Sequence, residues 1–142
     1  MKNAIQVAVA ANASFPVGVW SLIPFDTIVE SNNPLLTPAV GSSTIIVNGF
    51  QGYVRCTLNL YGLSLSGGWV GAGFNVFTIG SDRFFDFKIL PVAGDSVQLA
   101  GSLVMQVQPG TVLLPYVYVG ATFTLYGEAA YGYLQRLTVE TL

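Results

Sequence analysis

The chain has 142 residues, of which 52% are hydrophobic and only 8% charged, with a formal net charge of −2 and no histidine. That length makes one domain, large enough to bury a core without disulfides or structural metals. With no histidine, one cysteine and five scattered basic residues, it has no intramolecular disulfide, lacks the commonest acid–base and zinc-binding group, and offers nucleic acid no phosphate-neutralising patch.

The first sixteen residues stand apart from the rest. Ala4-Ile5-Gln6-Val7-Ala8-Val9-Ala10-Ala11-Asn12-Ala13 is small, weakly alternating and uncharged. It reads as an edge strand or as an arm that orders against a neighbouring subunit or a surface. The expected organisation is thus an arm or edge strand over 1–16 and a single domain over 17–142. Gln6, Asn12 and Ser14 interrupt the apolar run, so it makes a poor secretion signal.

Beyond it, strands are predicted near residues 18–22, 44–47, 53–61, 70–78, 83–90, 96–107, 111–119, 121–126 and 133–139. The runs are short, rich in Val, Ile, Leu, Phe and Tyr, and punctuated by 16 glycines and 7 prolines, the pattern of an antiparallel sandwich or barrel. Asn48-Gly49, Gly67-Gly68, Gly80-Ser81-Asp82 and Gly94-Asp95 supply turns, and Pro109-Gly110 suits a type II turn. In 53–60, Val54, Cys56, Leu58 and Leu60 share one face, and Tyr53, Arg55, Thr57 and Asn59 the other. Phe85, Phe87 and Ile89 likewise oppose Phe84, Asp86 and Lys88. Cys56 lies on the apolar face, as a buried structural thiol would. No window approaches the about 18–20 apolar residues of a membrane-spanning helix, and no ladder of lipid-facing strands is present.

Two segments break the alternation. Residues 111–119 are apolar on both faces, and Pro115 within them implies an edge or a bulge, a combination that suits subunit packing. The run 121–133 brackets small residues with Phe123, Tyr126, Tyr131 and Tyr133, which read either as interface aromatics or as core. A monomer of this mass exposes on the order of 7,000 Å², which twelve charged side chains cover thinly, so much of that surface is expected to be hidden against other copies.

Catalysis finds no footing. Asp26, Glu30, Asp82, Asp86, Asp95, Glu128 and Glu140 fall in no recognisable motif, and most sit in turns. Asp82 and Asp95 with nearby turn carbonyls come closest to a calcium site, but no dense Asp/Asn/Gly loop accompanies them. No catalytic residue, metal or cofactor is assigned.

The segment Val19-Trp20-Ser21-Leu22-Ile23-Pro24-Phe25-Asp26-Thr27-Ile28-Val29, with its Ile-Pro-Phe-Asp-Thr element, resembles the opening of the tumour-necrosis-factor and complement globular-head jelly rolls. Residues 43–54 are similar to that family's strand, glycine–aromatic turn and long alternating strand. Residues 102–107, Pro109-Gly110 and 111–119 resemble its late hairpin, though the family often has Gly-Asp at the turn. Leu134-Gln135-Arg136-Leu137-Thr138-Val139 stands where its closing strand would. The resemblance implies an all-β antiparallel jelly-roll sandwich, TNF-like, assembled as a homotrimer through an apolar axis. Leu113, Tyr116, Tyr118, Phe123 and Tyr126 are the residues expected at that axis.

Bacterial-virus proteins of similar fold serve as capsid decoration proteins or as spike and fibre heads. The expectation for this chain is the former: a non-enzymatic decoration, or cement, protein on the outer surface of a phage capsid. Its partners would be its own copies and the major capsid protein, which Ile5, Val7 and Val9 would contact, with no nucleic acid or membrane. The alternative is a head that binds a receptor or glycan, with Trp20 or Trp69 as a stacking platform.

Overall fold

The computed structural model describes residues 4–39, 44–64, 67–78, 81–89, 93–94, 96–127 and 136–142, which form strands and turns and no helix. In chain order the strands are β1 (Ala4–Ala8), β2 (Ala13–Ser14), β3 (Ser21–Leu22), β4 (Thr27–Ser31), β5 (Leu36–Ala39), β6 (Thr44–Val47), β7 (Gly52–Ser64), β8 (Val70–Thr78), β9 (Ser81–Ile89), β10 (Ser96–Val107), β11 (Val112–Val119), β12 (Phe123–Leu125) and β13 (Arg136–Thr141). Every pairing is antiparallel. One sheet runs β2-β12-β7-β13-β1-β4, with β10 also paired to β7; the other runs β5-β6-β11-β8-β9, with β3 also paired to β11.

The alternation read in the sequence is what closes the sandwich. Val54, Cys56, Leu58 and Leu60 of β7 are buried, and they meet Val70, Ala72, Phe74 and Val76 of β8 and Leu113, Val117 and Val119 of β11 in one core. Side chains from two inner faces interdigitate in this way when sheets stack about 10 Å apart. Gly62 faces inward on β7 because nothing larger fits: a Cβ there would stand 2.5 Å from the Phe123 ring and 2.4 Å from the Thr124 carbonyl.

The Ile-Pro-Phe-Asp-Thr element carries the chain from one sheet to the other. Leu22 pairs with Tyr116 of β11, whereas Thr27 pairs with Ala8 of β1. Between them Ile23 and Phe25 are buried plugs, and Asp26 fastens the crossing. Its carboxylate accepts from the Ala10 N–H at 3.0 Å and from the Thr27 hydroxyl at 3.1 Å.

The N-terminal segment is neither an arm nor an edge. β1 lies between β13 and β4, and Ile5, Val7 and Val9 are only 0%, 3% and 1% exposed. They are core residues, which removes them as a capsid contact. The small side chains of Ala4 and Ala8 on the other face masked an ordinary interior strand. β11 is not an edge either: it pairs with β8 along its length, and on its other side with β6 through Val112–Leu113 and β3 through Tyr116–Val117. Pro115 falls where that neighbour changes from β6 to β3, and so breaks no continuous ladder on that side. β2, β4 and β5 were not expected from the sequence. The expected strand at 133–139 is described only from Arg136, and Tyr131 and Tyr133 lie outside the described residues.

Candidate functional site

The outer face of the β11-β8-β9 layer carries a cup. Antiparallel register places Tyr118 of β11 opposite Gly71 of β8, and Gly71 opposite Lys88 of β9. Adjacent strands lie about 4.8 Å apart, so Tyr118 and Lys88 stand about 10 Å from each other with no side chain on the strand between them. In the next row the register pairs Gly73 of β8 with Tyr116 of β11 and with Asp86 of β9. At the end of the sheet lies a pocket of about 340 Å³, lined among the described residues by Trp20, Trp69, Lys88 and Tyr118.

Backbone contacts fix both tryptophans. Trp69 leads into β8, and its carbonyl accepts from the Gly120 N–H at 2.6 Å. That approach needs glycine on the neighbouring turn: a Cβ on Gly68 would meet the Ala121 Cβ at 2.6 Å and the Ala121 nitrogen at 2.9 Å. Trp20 precedes β3 and follows Gly18, which adopts a φ of 81° and donates to the Val119 carbonyl at 2.8 Å. The Trp20 and Tyr118 rings stand 5.5 Å apart, tilted by 48°, within the range of favourable aromatic pairs. Trp69 remains 51% exposed. Among the described residues the cup therefore presents flat apolar faces, a phenol and one ammonium.

The two tryptophans singled out in the sequence thus converge although 49 positions separate them, whereas the five expected axis residues do not. Leu113 and Phe123 are 0% and 3% exposed and belong to the core. Tyr116 and Tyr118 lie on the outside of the β11 sheet. Tyr126, just past β12, stacks against Tyr61 of β7 at 5.5 Å, on the other sheet. Residues divided between the core and two outer faces cannot form a single patch. Lys88 and the paired glycines of β8 were missed. The glycines at alternate positions in Val70-Gly71-Ala72-Gly73-Phe74 were the available signal of a face stripped of side chains.

A second surface is an edge. Among the described residues β10 pairs only with β7, over its whole length from Ser96 to Val107. Those twelve residues contain no Lys, Arg, Asp, Glu or Pro, although these are the devices that normally guard an edge against pairing with another chain. Val104 on its outer face is 54% exposed. On the same face Gln98 donates to Asn59 at 3.1 Å, and the Ser102 and Thr57 hydroxyls are 3.3 Å apart.

Candidates for chemistry are sparse. Among the described residues no three of His, Cys, Asp and Glu stand close enough to hold a metal; Asp95 and the side chain of Asp82 lie outside them. Cys56 is a free, buried thiol, pushed up to about 12 by desolvation, the opposite of an activated nucleophile.

No family model matches the chain, and no curated protein matches it in sequence. Solved structures do match its fold. The Eiger TNF of S. frugiperda superposes with a TM-score of 0.78 at 9% identity, over 99% of this chain and 92% of that one. Murine APRIL gives 0.70 at 14% identity over 100% of both chains, and the globular domain of zebrafish complement 1qA gives 0.68 at 9% identity over 99% and 98%. The chain is an all-β antiparallel sandwich with the TNF-like jelly-roll fold.

Proposed function

We propose that the chain is a non-enzymatic structural head of a phage virion, a homotrimer on the outer surface of the capsid that reinforces the contacts among copies of the major capsid protein. The observation that carries self-association is the β10 edge, twelve uncharged residues long, which among the described residues pairs only with β7. Trimerisation accords with the fold. The sparse charge of the chain accords with burial of its surface in a larger assembly.

With Ile5, Val7 and Val9 inside the core, the shell contact moves to β4, the opposite edge of the same sheet. There Ile28 is 48% and Val29 37% exposed. A trimer offering three such edges binds with avidity, because its contacts must be broken together. Purified protein is expected to bind empty shells saturably and to raise their resistance to heat and osmotic rupture, and Ile28→Asp to remove both effects with the fold intact. Shells indifferent to the wild-type protein would contradict the proposal.

The cup favours a second reading, a head that recognises a small ligand or glycan. Two tryptophans and a tyrosine around one pocket are an expensive arrangement for a surface with no partner.

A further inference from the structure

We infer that the cup formed by Trp20, Trp69 and Tyr118 binds a pyranose sugar by stacking against the C–H face of its ring. The inference rests on the recognition reading and specifies its ligand.

Three aromatic side chains from separate segments meet around one pocket: Trp20 ahead of β3, Trp69 leading into β8 and Tyr118 near the end of β11. Trp69 is half-exposed, and an indole face beside a pocket gains by excluding water against an apolar partner. The walls select the shape of that partner. The Trp20 and Tyr118 rings are tilted by 48°, so they splay and form no parallel-sided slot for a flat aromatic ligand. A puckered ring with C–H bonds on one face and hydroxyls around its rim fits such walls. Each aromatic lining side chain also joins an apolar body to a hydrogen-bonding tip, an indole N–H or a phenol O–H. That mixture suits a sugar better than a hydrocarbon. The pocket of about 340 Å³ lies at the lower end of the range for small-molecule sites, room for one or two sugar units. Charge plays no part in the assignment, since Lys88 already has an interaction of its own.

Preorganisation supports the same reading. The Trp69 carbonyl accepts from the Gly120 N–H at 2.6 Å, and the Gly18 N–H donates to the Val119 carbonyl at 2.8 Å. The segments carrying both tryptophans are thus tied to the end of β11 and the turn after it. Glycine is needed on both sides of the Trp69 tie: a Cβ on Gly120 would meet the Trp69 nitrogen at 3.1 Å, and one on Gly68 the Ala121 Cβ at 2.6 Å. Little ordering is left for a ligand to impose.

The test uses the full chain with methyl β-galactoside and methyl β-glucoside, and with galactitol and glucitol, which carry hydroxyls without the ring. Phenol serves as a planar aromatic probe. Both tryptophans of the chain line the cup, so their fluorescence reports on this site alone, and saturation-transfer NMR reads which ligand protons lie against it. The expected result is saturable binding of at least one pyranoside, about tenfold or more tighter than its alditol, with transfer strongest to the ring protons of one face. Trp69→Phe keeps a flat face and should bind more weakly, whereas Trp69→Ala should lose binding. Because Trp69 is half-exposed, unchanged thermal unfolding is expected to confirm that both variants fold. Alditols that bind as tightly as the pyranosides, or wild-type binding retained in Trp69→Ala, would overturn the assignment. Phenol binding that depends on Trp69, with no response to either pyranoside, would overturn the sugar and leave the recognition reading standing. No saturable response to any of the five compounds would overturn the assignment and remove the support for recognition together.

Discussion

Cys56 shows how far a single residue is governed by its surroundings. Its place on the apolar face of an alternating strand made burial legible, and the sandwich closes over it completely. Desolvation disfavours the thiolate and raises the thiol from 9.0 to about 12. Below the unfolded value both states keep the proton, and the full stability is present. Between about 9 and about 12 the unfolded chain releases its proton while the folded chain holds it, so stability falls by about 1.4 kcal/mol per pH unit. Urea unfolding between pH 8 and 10.5 should therefore show the stability margin of wild type over Cys56→Ala shrinking as pH rises. A constant margin would mean that the thiol titrates normally in the fold. Other single residues were less legible. Leu113 and Phe123 carry the same apolar signal whether they face a core or a neighbour, and only the pairing of strands decides between the two. Lys88 was legible only as lying opposite Phe85, Phe87 and Ile89 on its strand; its place beside two tryptophans depends on register across three strands.

At the scale of elements, long alternating strands could be read from sequence and short or unpatterned ones could not. β7, β8, β10 and β11 were expected within a few residues of their observed ends, because each buries one face and punctuating turns bound it. The turn at Pro109-Gly110 forms as expected: Gly110 has a φ of 83°, and the Thr111 N–H donates to the Gln108 carbonyl at 3.0 Å. β4 escaped notice because it is almost wholly exposed and so has no alternation to show, and β5 because Pro38 lies within it. β1 was seen, but its alanines concealed that it is interior. The β10 edge leads to a prediction of its own. Ser102→Lys with Val104→Lys adds two like charges to the exposed face of this strand, the natural means of discouraging strand-to-strand association. The double variant is expected to keep its β-sheet circular dichroism and lose its oligomeric mass. An unchanged mass would place the subunit contact elsewhere.

The whole molecule exposes 6658 Å² and carries only twelve charged residues. Val17, Val19, Tyr53, Phe77 and Val104 add apolar area to that surface, each about half exposed. Composition alone pointed to association, but not to the surface that makes it. Of the predicted axis residues Leu113 and Phe123 lie in the core, because residues near each other in sequence were divided between two sheets and the core, whereas the uncharged edge emerged only once β10 was seen, among the described residues, to pair with β7 alone. Self-association is the claim on which the proposed role depends, and the solution mass tests it most directly. Light scattering or sedimentation of the purified chain, diluted to micromolar concentration, is predicted to give a stable mass of three chains. A folded, soluble monomer under those conditions would contradict the account and remove the basis for a capsid-reinforcing trimer.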